Sequence, residues 1–406
     1  MVSPSQSKST CLGLFLLVLA LSVLVPKQGN GQARFEVTPS GALELVYGAH
    51  LGDPSNGIVP YRLNDGRDRT LLLSQLVLAL DASYGPVSIR VAAQVGTVGD
   101  TYYLGEPFSP GGGTVTDTGA TNWRNIQEAF AEFLTGRIKW GAGVFLSPVG
   151  PESMVTNGGS NTPLGSETPA VANATLSRGL AFYGLPFYHT GVRAIVDLGH
   201  GFSLRFWAIN GWNSIGLDTN RVPTAVVNFQ YGSPRLSWSI LAMVGPERAS
   251  GAPEGPVVRA LFDSWLQWHP APTLGFVAQL NGGVEPTRFG SSGWMVGSLA
   301  ARWHPLRWLY IAARGEYFRE WMGANETGRA NPIFWGGAEA VASATGTIGF
   351  RPHAQVLVRL EYRQDWSARA PLFYRSQVMG DGSAMSPYVP NADTQRTVTL
   401  STNVWF

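Results

Sequence analysis

The chain has 406 residues, of which 44% are hydrophobic, 11% aromatic and only 14% charged. A charged share near half that of a soluble domain is too small to coat a water-facing surface, and 14 Trp, 13 Tyr and 19 Phe exclude a disordered chain. A helical membrane protein is excluded as well, because a spanning helix needs about 20 consecutive apolar residues and only the N-terminus approaches that.

Residues 1–33 read as a secretory signal peptide: Lys8 supplies the positive start, Leu12 to Val25 the apolar run, and Gly31-Gln32-Ala33 a small-residue cleavage site. The run is too short for a membrane anchor, and the only cysteine, Cys11, precedes it, so it does not mark a lipoprotein. Cleavage removes Lys8, Lys27 and Cys11, leaving 373 residues with 27 basic and 27 acidic groups and no cysteine. Disulfides therefore cannot hold the mature chain. The neutral balance, with no basic cluster, argues against nucleic acid as a partner.

From Arg34 onward the dominant period is two. Pro86 to Gly96 puts Val87, Ile89, Val91, Ala93 and Val95 on one face, and Gly136 to Leu146 does the same with Ile138, Trp140, Ala142, Val144 and Leu146. The alternation recurs at 192–198, 202–208, 236–244, 274–280, 309–313 and 354–362. Short turns are expected at Tyr84-Gly85-Pro86, near Gly136, at Gly199-His200-Gly201, Gly232-Ser233-Pro234, His269-Pro270, His304-Pro305 and Arg351-Pro352-His353. Longer Gly/Pro/Ser/Asn-rich loops alternate with them at 52–69, 99–121, 148–187, 319–336 and 366–394.

A soluble sandwich has no reason to sort its loops in this way. An outer-membrane barrel does, with short periplasmic turns and long extracellular loops. Seven short turns with both termini on the turn side give eight hairpins, hence an all-β transmembrane antiparallel barrel of about 16 strands over residues 34–406. Trp268, Trp303 and Phe350 each precede a turn, as an interfacial aromatic girdle requires. The final Val398-Thr-Leu-Ser-Thr-Asn-Val-Trp-Phe406 is an amphipathic strand ending on an aromatic. It resembles the C-terminal signature that barrel assembly machinery recognises.

Two stretches resemble a known family. Gly136-Arg-Ile-Lys-Trp-Gly-Ala-Gly-Val-Phe-Leu-Ser-Pro-Val-Gly150-Pro-Glu152, and His189-Thr-Gly191-Val-Arg193-Ala followed by Ala208-Ile-Asn210-Gly211-Trp212-Asn213, are similar to segments of the outer-membrane β-barrel porin-2 family, the OmpL-like porins. The similarity spans about residues 120–220 and departs at Asn213, where the family usually carries Asp. It implies a Gram-negative outer-membrane porin, and it carries over no functional residue.

If the apolar face meets lipid, strand parity turns Arg90, Arg137, Lys139, Arg193, Arg205, Arg259, Arg302, Arg314, Arg359 and Arg363 inward. It also turns Glu44, Glu128, Glu132, Asp197, Asp263, Glu316, Glu339, Glu361 and Asp365 inward. A charge at the lipid midplane would cost about 2–4 kcal/mol. Ten cations against nine acids predict a water-filled channel with weak ion selectivity, unless the charges only pair across strands to stiffen the wall. The longest loop, Ser147 to Tyr188, is expected to fold inward, with Glu152, Asn157, Asn161 and Glu167 near a constriction.

No catalytic constellation, metal site or cofactor motif stands out. His50 with Asp53, or His189 with a serine, is the nearest approach to a hydrolase dyad, and Asn64-Asp65-Gly66-Arg67-Asp68 does not match the spacing of a calcium loop. The chain thus reads as a porin for passive diffusion of small hydrophilic solutes, set in outer-membrane lipid, with a homotrimer as the candidate assembly by analogy. A closed structural or adhesive barrel is the alternative, and an outer-membrane hydrolase a distant third.

Overall fold

The computed structural model describes residues 34–99, 125–154, 171–215, 218, 220–335 and 339–406. The signal-peptide reading of 1–33 and the candidates Asn157, Asn161 and Glu167 lie outside these residues. The chain begins with β1 (Phe35–His50), β2 (Thr70–Tyr84), β3 (Val87–Val95), β4 (Ile126–Thr135) and β5 (Ile138–Leu146). After a long connection come β6 (Tyr188–Gly199), β7 (Phe202–Ile209), β8 (Thr224–Gly232) and β9 (Leu236–Pro246). Taller strands follow: β10 (Val258–Ala271), β11 (Leu274–Thr287), β12 (Gly290–Leu306) and β13 (Leu309–Trp321). A small loop hairpin, β14 (Ala324–Asn325) with β15 (Gly328–Arg329), precedes β16 (Ala340–His353), β17 (Val356–Ser367) and β18 (Thr394–Trp405).

All strands except β14 and β15 form one closed antiparallel barrel of 16 strands, each paired with its sequence neighbour. The ring is sealed by β1 against β18, in register from Ala42 opposite Trp405 to His50 opposite Thr397. Closure leaves no strand edge, which is what lets a sheet satisfy its backbone in lipid. On β10 the exposed Val258, Phe262, Leu266 and Trp268 all point outward. The ten residue steps from Val258 to Trp268 span about 24 Å of height at a ~45° tilt, close to the ~25 Å apolar band of such barrels. Trp303 and Phe350 are exposed near the short-turn end, as Trp268 is.

Three turns fall later than the sequence places them. The chain reverses after Ala271, Leu306 and His353, so His269-Pro270, His304-Pro305 and Arg351-Pro352 belong to strand ends. Each Pro lies in a break of register, between Trp268 and Ala271, Trp303 and Leu306, and Phe350 and His353. Proline has no N–H to give the ladder, so it marks a bulge here and the turn follows. One outer connection is also tight: β11 passes to β12 through Arg288-Phe289, with the Thr287 hydroxyl donating to the Gly290 carbonyl.

Glycine is required inside the wall at Gly143. Its φ of +138° is rarely open to an L side chain, and a Cβ there would overlap the Ala129 carbonyl of β4. Gly297, by contrast, has nothing near its missing side chain. Gly143→Ala is expected to cost about 1–3 kcal/mol and to lower the temperature at which the folded band is lost on a heat-modifiability gel. Gly297→Ala should leave that temperature unchanged.

Candidate functional site

The connection from β5 to β6 turns into the barrel. Its described parts, 147–154 and 171–187, run along the inner surface of β11, β12, β13, β16 and β17, carrying a 3₁₀ turn at Val171–Asn173 and the single helical turn α1 (Leu180–Tyr183). The segment is tied to itself first. Asn173 donates to the Ser153 carbonyl and accepts from its N–H, and Arg178 donates to the carbonyls of Ser153, Met154 and Leu176.

It is then tied to the wall by side chains that strand parity turns inward. Glu361 accepts from the backbone N–H of Leu176 (2.5 Å) and Ser177 (3.0 Å). Arg314 donates to Glu152 and to the Ser177 carbonyl, Glu316 accepts from the N–H of Ala181, and Arg363 donates to the Arg178 carbonyl. Asp263 accepts from the N–H of Gly150 and from Gln279. Arg259 pairs with Glu285 and lies over the Trp212 ring at 5.1 Å. Buried carboxylates and guanidiniums that capture loop backbone in this way satisfy both partners where water is excluded.

Arg359 is the hub of this half. Fully buried, it donates to Glu44 of β1 at 2.6 Å, to Asn403 and Ser401 of β18, and to the carbonyls of Asn173 and Thr175. It thus joins the sealing strands to the inner segment. The connection from β1 to β2 also dips inward here: Arg62 reaches Asp365 at 2.8 Å, Asn64 donates to Glu44, and Asp65 accepts from Thr399. Burial pushes the Asp65 carboxyl above its usual range, with Arg62 opposing the shift. Tyr61 is likewise raised to about 12, first by burial and then by Tyr374 and Glu320.

The inward charges therefore divide into two sets. Arg259, Asp263, Arg314, Glu316, Arg359, Glu361 and Arg363 are buried beneath the loop segments. On the side of β2 to β7 the charges keep contact with open space: the side chains of Asp81 and Lys139 are 47% and 46% exposed, and those of Arg90, Arg193 and Glu128 are 13–16% exposed. Arg90 sits between Asp81 of β2 and Glu128 of β4. Arg193 of β6 crosses β5 to reach Glu132 of β4 at 2.6 Å, passing over Gly141, where a side chain would press on both. Arg193 also caps the rings of Phe130 and Phe145. Lys139 lies 3.5 Å from Glu132, and Arg205 donates to Ser203.

Two parity assignments need correction. Arg137 occupies the β4–β5 turn and is exposed there, because the chain reverses at Gly136-Arg137 and no wall continues past it. Glu339 lies just before β16, where it pairs with Arg369. Of the histidines weighed for chemistry, His189 is wholly buried between Ser147 and the Gly211 carbonyl, and so clips two loops together out of reach of a substrate. The His50 ring accepts from the Gly52 N–H, and His50 meets Asp53 through backbone, the Asp53 N–H donating to the His50 carbonyl. Parity missed Arg62, Arg178 and Tyr183, because they lie in irregular segments where no period exists to place them.

A second feature was hidden from the sequence for the same reason. Loops β1–β2, β5–β6 and β7–β8 line an open chamber of about 610 Å³ at the end of the barrel away from the termini, with Leu72, Thr97 and Phe334 also in its wall.

A family model described as "Putative beta-barrel porin-2, OmpL-like" matches residues 36–406. No curated protein matches the chain by sequence. Among solved structures it is similar to an anion-selective porin from Comamonas acidovorans, with 13% identity and a TM-score of 0.56 over 92% of this chain and 100% of that one. It is also similar to OmpT of Vibrio cholerae (10%, TM-score 0.54, 94% and 100%) and to the outer-membrane channel DcaP of Acinetobacter baumannii (11%, 0.54, 94% and 100%). At such identities the likeness is one of fold.

Arg359→Leu takes the guanidinium from the buried Glu44 carboxylate, and breaking a buried pair from one side costs about 3–5 kcal/mol. The variant is expected to lose its folded band at a markedly lower temperature. The double variant Arg359→Leu with Glu44→Leu should recover part of that loss.

Proposed function

Because the chain belongs to the OmpL-like outer-membrane β-barrel porin-2 family, and is therefore an outer-membrane porin and not an enzyme, we propose that it passes small hydrophilic solutes and ions by passive diffusion with weak selectivity. The solutes run along the β2–β7 side of the interior. The observation that carries this reading is the split in burial: inward charges on that side remain in contact with open space, while those on the opposite side are sealed beneath loop segments. The accessible set, Arg90, Lys139, Arg193 and Arg205 against Asp81, Glu128, Glu132 and Asp197, is four cations facing four acids. Most of these already neighbour an opposite charge. Paired charges of equal number leave little net field to exclude either sign of ion. Glu152, bound to Arg314 and the Gly179 N–H, is part of what holds the inner segment as a constriction on the buried side.

In this reading residues 1–33 are an export leader, and the β18 strand ending at Phe406 is the segment presented to the barrel assembly machinery. Single-channel current in a planar bilayer tests the channel directly: large steady steps with a small reversal potential across a salt gradient are expected. Lys139→Glu with Arg205→Glu turns the accessible balance from no net charge to four net negative, and the reversal potential should move toward cations. An unmoved potential would show that ions do not pass this wall.

We further propose that the porin assembles as a homotrimer through its low side. Strands β3 to β8 have only 8–12 residues, against 13–17 in β10 to β13. On their lipid face Ala131, Ala142, Ala194 and Ala208 floor an apolar depression of about 640 Å³ rimmed by Phe133, Trp140 and Phe206. The OmpT of Vibrio cholerae is described in a trimer form. Trp140→Arg is expected to shift the unheated band from trimer to monomer without loss of the folded monomer.

A further inference from the structure

The chamber between the outer loops has a composition that the diffusion reading does not use. Its volume of about 610 Å³ lies within the range of small-molecule sites, about 300–1,000 Å³, which are mostly apolar with a few placed polar groups. Five of its wall residues are aromatic: Tyr61, Tyr183, Phe187, Trp212 and Phe334. The charged residues among its described lining are Arg62 and Arg67, and no acid is among them. A chamber built only to pass water and salt gains nothing from a ring-lined wall.

On two of its lining residues, buried donor atoms have no acceptor among the described residues: Nε and Nη1 of Arg62 and the hydroxyl of Tyr183. Arg62 spends its Nη2 on Asp365 and Thr397. Arg363 binds that same carboxylate, so two guanidiniums share one acid. Arg67 is exposed at the same loop. Unused buried donors cost free energy unless something supplies acceptors; Arg62 and Tyr183 line the chamber beside the rings, and a side-chain rotation would bring their sealed donors to its surface.

We propose that this chamber binds an aryl carboxylate, an aromatic ring bearing a carboxyl group, as the preferred solute of the channel. The ring would stack among Tyr61, Tyr183 and Trp212 in offset or edge-on geometry. The carboxylate would accept from Arg67, Tyr183 and the unused nitrogens of Arg62, since guanidinium matches carboxylate geometry with paired donors. The proposal rests on the channel reading for transport, but binding itself does not need conduction.

The test uses three probes on the refolded barrel: benzoate, hexanoate with equal charge and no ring, and benzyl alcohol with a ring and no charge. Each is titrated by tryptophan fluorescence in detergent, and by interruption of KCl current in a planar bilayer with the probe added on the loop side. Benzoate is expected to act at concentrations at least tenfold below either control. Arg67→Gln should raise the benzoate concentration required roughly tenfold, the factor corresponding to loss of about 1.4 kcal/mol. Tyr183→Phe, which keeps the ring and removes the hydroxyl, should raise it several-fold. Equal action of benzoate and hexanoate, or no response to benzoate in fluorescence, overturns the aryl-carboxylate site even if KCl steps persist. Absence of KCl steps overturns the channel reading instead, and the fluorescence titration then still decides the site.

Discussion

Arg359 is the point on which the rest of the interior turns. It lies opposite Ser401 on β17–β18, one strand from the β1–β18 seam, and its guanidinium reaches across that seam to Glu44. A barrel closes only when its first and last strands meet in one register, and a slip of one residue would turn every side chain on the seam to the wrong face. Glu44 opposite Asn403, with Arg359 bonded to both, works only in the observed register. Arg359 also donates to the carbonyls of Asn173 and Thr175, so the group that fixes the seam also fixes the inner segment.

That coupling explains how charge is distributed inside. A pair in bulk water contributes little, and a pair sealed from water is useful only when its remaining donors and acceptors are met. On the β13–β18 side they are met by loop backbone: Glu361 takes two N–H groups, while Arg178, Arg314 and Arg363 take carbonyls. Loop and wall there form one solid. On the β2–β7 side no described loop segment covers the pairs, and the charges stay hydrated. One lumen thus holds a packed half and an open half, and only on the open half do charged side chains keep contact with space.

How far the sequence reaches depends on where periodicity holds. Period two placed the strands and sent Arg90, Glu128, Glu132, Lys139 and Arg193 inward, because a charge in lipid is costly enough to make the direction compulsory. It is blunter where both faces are apolar. On β9, Ile240, Ala242 and Val244 face lipid, while Leu241 and Met243 face inward onto the apolar inner cluster that includes Val149, Leu180 and Leu185. Proline also misleads when read as a turn, since at positions 270, 305 and 352 it breaks a ladder without reversing the chain.

By itself the sequence determined a closed antiparallel barrel with 16 strands, the end that carries the short turns, the lipid-facing girdle and the inward sense of most charges. These follow from local alternation and from the cost of charge in hydrocarbon, both of which act residue by residue. Which inward charges touch water, that Arg62 and Arg178 join them, and that Tyr61, Tyr183 and Trp212 meet around one chamber were decided only by the tertiary structure. Those facts depend on where irregular segments separated by about 30 to 150 residues come to rest, and a segment without a period carries no local signal of what it will cover.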